Sequence, residues 1–163
     1  MADDWDAARE TTRAWLKGDH SLKAGEWQYR WLKPRLLIEE FLAGANDMPP
    51  PDHKFFCFHG RVEFVAVDED RMNNPRSSYF DRAFNKLPFE YSYPPIEHEV
   101  DRPACWHEMV SMAEALSRGE PFLRVDLYCV NGAPVCGELA AHPASGFDPF
   151  EPPEWDATFG ALI

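Results

Sequence analysis

The sequence predicts an α+β fold in which helices back a mostly antiparallel sheet. The chain has 163 residues, a length that suits one domain with a core of its own. Hydrophobic residues make up 45% of it and aromatic residues 14%, unlike the aromatic-poor composition of disordered chains. Apolar runs separated by turn residues predict the order helix, three strands, helix, two strands and helix.

Three segments have the periodicity of helices. The first begins at Trp5 and repeats apolar residues at three- and four-residue steps. The clearest covers residues 104–118, where apolar residues share one face and Gly119 can cap the C-terminal end. The Pro-rich tail over residues 145–163 ends in a short amphipathic segment, which is predicted as the last helix.

Five segments rich in β-branched and aromatic residues are predicted as strands. They cover residues 35–42, 54–59, 61–67, 122–130 and 134–140. Gly60 and the pair Asn131-Gly132 each separate two of these runs, which predicts two hairpins. Residues 68–102 contain several prolines and are predicted as a long irregular segment, a feature that is often functional in a compact domain. The aromatic residues of this segment either pin it to the core or stack on a ligand ring.

The charge balance limits the classes of partner. The chain has 28 acidic and 16 basic residues, so its net charge of −12 disfavours binding to nucleic acid. No apolar run approaches the ~20 residues that span a bilayer, and the N-terminal residues lack the pattern of a secretory signal. Four cysteines in a chain of this size favour reduced thiols over a disulfide scaffold. We therefore expect a cytoplasmic protein without nucleic-acid partners or a membrane span.

Acidic residues in the last predicted hairpin are candidates for chemistry. Arg124 and Asp126 share one face of their strand, while Glu138 lies among small and apolar residues. Two carboxylates on one face repel each other unless a cation such as Mg²⁺ lies between them. The alternative is that Asp126 pairs with Arg124 or points to solvent.

The length of the turn decides whether the two carboxylates share a face. A two-residue turn at Asn131-Gly132 puts Asp126 and Glu138 on opposite faces, because a shift of one residue reverses every side chain. A three-residue loop over residues 131–133, or a bulge, places the two acids opposite each other on one face. We predict the three-residue loop.

Five sequence blocks stand out by their order and separation. They are PRLLIEEFL (34–42), DHKFFCFHGRVEFVAVDEDR (52–71), FLRVDLYCVNG (122–132), GEL (137–139) and SGFDPFEPPEWD (145–156). In this order they resemble the TupA-like ATP-grasp family, and the resemblance runs from about Trp15 to the C-terminus. It implies an ATP-grasp-like C-terminal lobe, with residues 1–163 forming a single partial ATP-grasp domain.

The resemblance also implies a class of reaction. ATP-grasp enzymes use ATP to activate a carboxylate as an acyl phosphate, which an amine or another nucleophile then attacks. TupA-like members resemble enzymes of cell-envelope polysaccharide and teichuronopeptide synthesis and are sometimes labelled glycosyltransferases. The chain is therefore expected to use ATP and Mg²⁺ as cofactors, with an unknown carboxylate and an unknown acceptor as substrates.

The adenosine part of the nucleotide is assigned by the resemblance to the first two blocks. Glu39 would accept a hydrogen bond from the adenine amino group. The backbone from Glu40 to Leu42 would offer a donor and an acceptor to the adenine edge. Asp52, which follows the proline-rich loop, would bind the ribose.

The phosphate part is assigned by the resemblance to the last hairpin. Arg124 would contact phosphate as the catalytic residue, and Asp126 and Glu138 would hold Mg²⁺ between phosphate oxygens. Residues 145–146 resemble the loop that closes over the acceptor. One position departs from the family pattern, since Ala140 stands where members offer Asn or Thr and has no ligand atom.

The family also has a glycine-rich loop and a phosphate-binding lysine before the first helix, whereas this sequence begins at that helix. We therefore expect a truncated protein, and two functions remain open. The chain is an ATP-dependent ligase, or it is a non-catalytic lobe that binds nucleotide or complements a separately encoded N-terminal half. Uncovered apolar residues would then favour a homo-oligomer or a partner protein; they are Trp27, Trp31, Phe41, Phe56 and Phe58.

Overall fold

The structure of the chain, a computed structural model, describes residues 5–18, 21, 26–42, 48–70 and 73–163. It divides into two units, Met1–Phe41 and Leu42–Ile163. The first unit contains helix α1 (Trp5–Lys17), as predicted, and a 3-10 helical turn (Trp27–Trp31). Within the described ranges, no helix is both long and apolar enough to cross a membrane.

The strand predicted over residues 35–42 is absent from the structure, where the segment has no regular secondary structure. Leu37 and Ile38 are 77% and 85% exposed. A strand needs a neighbour to satisfy its backbone hydrogen-bonding groups, and no described strand pairs with this segment. The prediction is wrong because apolar, β-forming residues do not specify a strand without a pairing partner.

The second unit is built on one large sheet and one small one. The strands of the large sheet are β1 (Asp52–Phe58), β2 (Arg61–Glu69), β3 (Arg76–Asp81), β5 (Phe122–Val130) and β6 (Ala133–Ala140). Their order is β3-β2-β1-β5-β6, and every neighbouring pair is antiparallel. Two short strands, β4 (Glu90–Tyr91) and β7 (Phe150–Glu151), pair with each other. The predicted α+β class and both predicted hairpins are confirmed.

Strand β3 lies in the segment that the sequence predicts as irregular. Serine is common in turns, so Ser77 and Ser78 favour a loop on local grounds. In the structure both serines are buried, and the Ser77 hydroxyl donates a hydrogen bond to Asp68 Oδ1 at 2.7 Å. The Ser78 hydroxyl oxygen accepts one from the backbone N–H of Ile96. Pairing with β2 and these hydrogen bonds override the local preference.

Helix α2 (Trp106–Leu116) covers one face of the large sheet, as its apolar periodicity predicts. Alternate side chains of the central strands point toward this helix. The core they form with it includes Phe55, Val65, Val125, Leu127, Trp106 and Met109, all of them buried. This face therefore provides the main hydrophobic core of the second unit.

Helix α3 (Glu154–Gly160) lies against part of the opposite face. The rings of Phe159 and Phe64 have centroids 4.3 Å apart, and Phe89 packs edge-on against Phe64. Tyr79 stacks on Phe89 at 4.6 Å. Tyr79 and Phe89 thus pin the segment 68–102 to the core, which is the first of the two alternatives that the sequence left open, whereas Tyr93 is 40% exposed.

The predicted uncovered apolar residues divide into two groups. Phe56 and Phe58 are buried beneath the aromatic layer of the second unit, so the prediction is wrong for them. Trp31 and Phe41 in the first unit are largely exposed. The side chain of Trp27 lies outside what the structure describes.

Candidate functional site

The β5–β6 hairpin contains the residues predicted for the phosphate end of the site. Its turn has two residues, Asn131 and Gly132, with φ of 53° and 76°, and Val130 pairs with Ala133 across it. Positive φ at both turn positions is the geometry of a type I′ turn, which matches the twist of the flanking strands. The predicted three-residue loop is therefore wrong.

A bulge in β6 nevertheless gives the register that a shared face requires. Asp126 pairs with Glu138, and the next residue of β5, Leu127, pairs with Cys136. This shift in pairing leaves Gly137 as the extra residue of β6. A Cβ atom on Gly137 would lie 2.6 Å from Cε2 of Tyr128, so the aromatic ring occupies the space that a side chain would need. Asp126 and Glu138 share a face, as predicted, but through the bulge rather than the turn.

Arg124 lies between the two carboxylates. Its Nε and Nη2 atoms donate hydrogen bonds to the two oxygens of Asp126, at 2.7 and 2.8 Å, and Nη2 donates to Oε2 of Glu138 at 3.3 Å. Arg124 and Asp126 are two residues apart on β5, so their side chains leave the sheet on the same face. The Asp126–Arg124 pair that the sequence offered as an alternative thus coexists with the alignment of Asp126 and Glu138.

Lys54 joins this group from β1, and sequence analysis did not identify it. Its Nζ atom donates hydrogen bonds to Asp52 and, at 3.1 Å, to Oδ2 of Asp126, and it lies 3.6 Å from Oδ2 of Asp68. Antiparallel pairing places Lys54 directly opposite Asp126 on β5, while Asp68 lies on β2. The lysine therefore links three strands. The available signal was the alternation of charged Asp52 and Lys54 in a strand that is otherwise apolar.

We call the six charged side chains on this face the charged cluster: Asp52, Lys54, Asp68, Arg124, Asp126 and Glu138. With every group ionised, four carboxylates and two cations give the cluster a net charge of −2. Asp52 and Asp126 are only 1% and 2% exposed, and buried carboxylates require cationic or hydrogen-bonding partners. The negative net charge of the cluster therefore favours the binding of an additional cation.

The two cations are strongly held in their charged forms. Burial by itself lowers the pKa of Lys54, but the negative charges of Asp52 and Asp126 outweigh it and raise that pKa above its usual value. Burial likewise opposes the charge of Arg124, while its hydrogen bonds with Asp126 raise the Arg124 pKa. Both side chains therefore stay protonated at neutral pH and can serve as fixed positive charges.

A cavity of about 460 Å³ opens beside the charged cluster, a size typical of ligand pockets. Lys54, Arg124 and Glu138 line it together with Pro143 and Ala144 of a 3-10 turn (residues 143–146). The backbone of Ala144 is left-handed, with φ of 48°, a conformation that costs a non-glycine residue on the order of 1 kcal/mol or more. The turn includes residues 145–146, which resemble the acceptor loop.

The residues predicted for the adenosine end lie in both units. Glu39 and Glu40 belong to the first unit, where they are exposed and lie in the segment without regular secondary structure. Leu42 and Asp52 belong to the second unit, and Asp52 begins β1 and bonds to Lys54. The structure thus brings Asp52 into the charged cluster, while the adenosine-binding roles of all four residues stay predictions.

Asp126 and Glu138 form a donor set that fits Mg²⁺. This ion prefers oxygen ligands and commonly binds one or two carboxylates together with phosphate oxygens and water. Ala140, which pairs with Arg124 on the neighbouring strand, offers no third side-chain oxygen. Among the residues that the structure describes, no three His, Cys, Asp or Glu side chains form a metal-binding group. The pair therefore suits an ion held jointly by protein and phosphate.

Comparison with known proteins identifies the family of the chain. The family model for TupA-like ATPgrasp proteins matches residues 6–163, which include α1 except its first residue, the large sheet and α3. Neither a curated protein nor a solved structure matches the chain. Membership of an ATP-grasp family supports ATP binding and ligase chemistry in general. Because the match extends over almost the entire sequence, the chain belongs to the TupA-like ATP-grasp family.

Proposed function

We propose that the protein takes part in an ATP- and Mg²⁺-dependent carboxylate ligation in cell-envelope polysaccharide or teichuronopeptide synthesis. The observation that best supports this is the convergence of Arg124, Asp126 and Glu138, because Arg124 and Glu138 line one cavity and Arg124 bonds to both carboxylates. In the first step, a carboxylate oxygen of the substrate attacks the γ-phosphorus of ATP, and ADP leaves. An amine or another nucleophile then attacks the carbon of the acyl phosphate and releases phosphate.

The charges of the cluster support a role at the phosphate end of ATP. Arg124 already binds two oxygens of Asp126, and its planar guanidinium suits phosphate oxygens equally well. Asp126 and Glu138 would hold Mg²⁺, which offsets the negative charge of the phosphates during transfer. The net charge of −2 repels ATP unless a cation enters with it, so binding should require the metal.

The adenosine end is proposed to bind where the family resemblance places it. Glu39 and the backbone of residues 40–42 would recognise the adenine ring, and Asp52 would accept hydrogen bonds from the ribose hydroxyls. Exposure of Glu39 leaves its carboxylate accessible to a ligand. Asp52 is only 1% exposed and bonded to Lys54, so ribose binding would require its carboxylate to become exposed.

One observation favours the alternative of a non-catalytic nucleotide-binding lobe. Ala140 leaves the proposed metal site with two carboxylates from the described part of the chain, which limits the affinity for Mg²⁺. In this alternative the chain binds nucleotide weakly or completes the site of a partner, and it turns nothing over alone. Binding and turnover must therefore be measured separately.

Calorimetric titration with Mg²⁺-ATP tests binding. We expect weak, Mg²⁺-dependent affinity in roughly the high-micromolar to millimolar range. Asp126→Asn and Glu138→Gln should lose the dependence on Mg²⁺, because each removes a charged ligand. Glu120→Gln, which removes an exposed carboxylate outside the charged cluster, should bind as the wild-type protein does. Tight binding of ATP without metal, or no binding at millimolar ATP, would contradict the proposal.

Turnover distinguishes the two functions. Release of ADP is measured with Mg²⁺-ATP and a panel of carboxylic acids and amines, with Glu138→Gln as the inactive control. Carboxylate-dependent ADP release that is lost in the variant supports the ligase. Nucleotide binding that is Mg²⁺-dependent but accompanied by no ADP release with any acid would instead support the non-catalytic lobe.

A further inference from the structure

Whereas Arg124 contacts two carboxylates of the charged cluster, Lys54 contacts three. Its side chain is 12% exposed, and its Nζ atom contacts the carboxylates of three aspartates. The three aspartates come from β1, β2 and β5, so the lysine partly offsets the charge of acids that the sheet itself brings together. Without an ammonium at this position, three carboxylates that are at least nineteen-twentieths buried would face one another, with Arg124 as the remaining cation of the charged cluster.

A divalent cation at Asp126 would change the partners of this lysine. Asp126 accepts hydrogen bonds from both Lys54 and Arg124, so its two oxygens are already engaged. A metal ion on the same carboxylate repels the nearby ammonium, because like charges a few ångströms apart in a buried site interact strongly. The side chain of Lys54 also lines the cavity and is long and flexible, so its Nζ atom can turn toward an anion there.

We propose that Lys54 is an internal counterion that competes with the divalent cation for Asp126 and contacts a nucleotide phosphate once that cation is bound. The second half of this proposal depends on the proposed nucleotide-binding function, whereas the first half concerns the metal alone. In the absence of metal, Lys54 offsets part of the negative charge of the aspartates and keeps the sheet folded. In its presence, Lys54 contributes a positive charge to the phosphate end of the ligand.

The test compares wild-type protein with Lys54→Gln, Lys54→Arg and Lys86→Gln. The first removes the ammonium, the second retains a positive charge, and the third removes an exposed lysine outside the cluster. Binding of Mn²⁺ alone is measured from the electron paramagnetic resonance signal of the free ion. Binding of ATP is then measured by calorimetry at saturating Mn²⁺.

We expect opposite changes in the two affinities for Lys54→Gln. Loss of a competing charge-assisted hydrogen bond should tighten Mn²⁺ binding about tenfold, and loss of a phosphate contact should weaken ATP binding about tenfold. Lys54→Arg and Lys86→Gln should stay within about threefold of wild type in both measurements. General damage to the fold cannot produce the gain in Mn²⁺ affinity.

Unchanged or weaker Mn²⁺ binding by Lys54→Gln would overturn the counterion role, even if the wild-type protein binds ATP as proposed. Absence of ATP binding by the wild-type protein would instead overturn the proposed function and the phosphate contact, while the Mn²⁺ titration still decides the counterion role. Lys54→Gln can also unfold, since it leaves the buried aspartates without their ammonium. In that case Mn²⁺ should raise its melting temperature far more than that of wild type, and failure to do so would overturn the proposal.

Discussion

The two faces of the large sheet are equally buried at their centre but differ in chemistry. On the face beneath α2, Phe55 and Val125 are completely buried in an apolar core. On the opposite face, the neighbouring positions Lys54 and Asp126 pair across the same two strands. The strands therefore bury a hydrophobic core on the side of α2 and, on the other side, the charged cluster next to the aromatic layer beneath α3.

Apolar and ionic side chains contribute differently to the stability of the fold. Apolar burial is favourable by roughly 25 cal/mol per Å², whereas burying ions has a desolvation cost that their attraction only partly offsets. The charged cluster is thus a poor source of stability and a good place for a ligand that brings charge, whereas the aromatic layer on the same face contributes apolar burial. Substitutions on the two faces should separate loss of folding from loss of binding.

The largest expected effect comes from the apolar face. Phe55→Ala should lower the free energy of unfolding by about 3–5 kcal/mol, because it leaves a cavity beside Trp106, whose ring centroid lies 5.4 Å away. Urea unfolding measures the change. Phe147→Ala, which truncates an exposed ring, should lie within about 0.5 kcal/mol of wild type. Equal losses in the two variants would contradict the assignment of the core.

The free energy of unfolding should depend on pH because of His53, which alternation places on the same face of the sheet as Phe55. Burial chiefly lowers the pKa of His53 to about 4, with a further contribution from Lys54, although hydrogen bonds with the backbone of Pro51 and Leu127 oppose the shift. The unfolded chain binds a proton near pH 6.5 and the folded chain does not. Stability should therefore be complete above pH 6.5 and fall by about 3 kcal/mol as the pH decreases to 4.

His53→Gln sharpens this prediction, because glutamine does not titrate. Urea unfolding at a series of pH values should give a flatter profile between pH 6.5 and 4 for the variant than for the wild-type protein. Parallel profiles would show that His53 is not the group responsible.

The bulge links the ionic face to the β6 edge. Gly137→Ala should lower the free energy of unfolding by about 1–3 kcal/mol, because the new methyl group meets the ring of Tyr128. It should also weaken Mn²⁺ binding, since movement of the bulge separates Asp126 from Glu138. Gly160→Ala is the matched control, because a Cβ atom there meets nothing within 4 Å. If the two variants behave alike, the bulge does not depend on glycine.

The rate at which each cysteine is alkylated should distinguish the core of the second unit from the edge strand β6. Burial raises the pKa of the Cys57 thiol to about 11, so this residue should react only when the chain opens. Cys136 is exposed on β6 and should be alkylated first by iodoacetamide. Mass spectrometry after short exposures gives the order of labelling. Early modification of Cys57 would mean that α2 does not cover β1 stably.

The sequence predicts those features of the fold that depend on local pattern. The apolar period of α2 and the turn residues Asn131 and Gly132 are both visible in the chain. The strand over residues 35–42 is predicted wrongly and β3 is missed, since whether a segment pairs is decided by residues elsewhere in the chain.

The part of the candidate site that depends on local sequence is also predictable. One hairpin contains Arg124, Asp126 and Glu138, so the alternation of side chains and the pairing register predict that they lie together. The contact of Lys54 with Asp126 joins residues 72 positions apart, and no local pattern encodes it. The length of the turn was also predicted wrongly. The register depends instead on the bulge, which is set by the fit between Gly137 and Tyr128 across the strands.

The same bulge has a consequence for self-association. Strand β6 is an edge of the large sheet, and an edge strand offers free backbone groups to the edges of other molecules. The extra residue at Gly137 interrupts the regular spacing of those groups, and Pro134 lacks an N–H to offer. A straight β6, without its bulge, would offer a more regular edge for pairing with another strand, so the bulge that aligns the two carboxylates also makes this edge a poorer partner for intermolecular pairing.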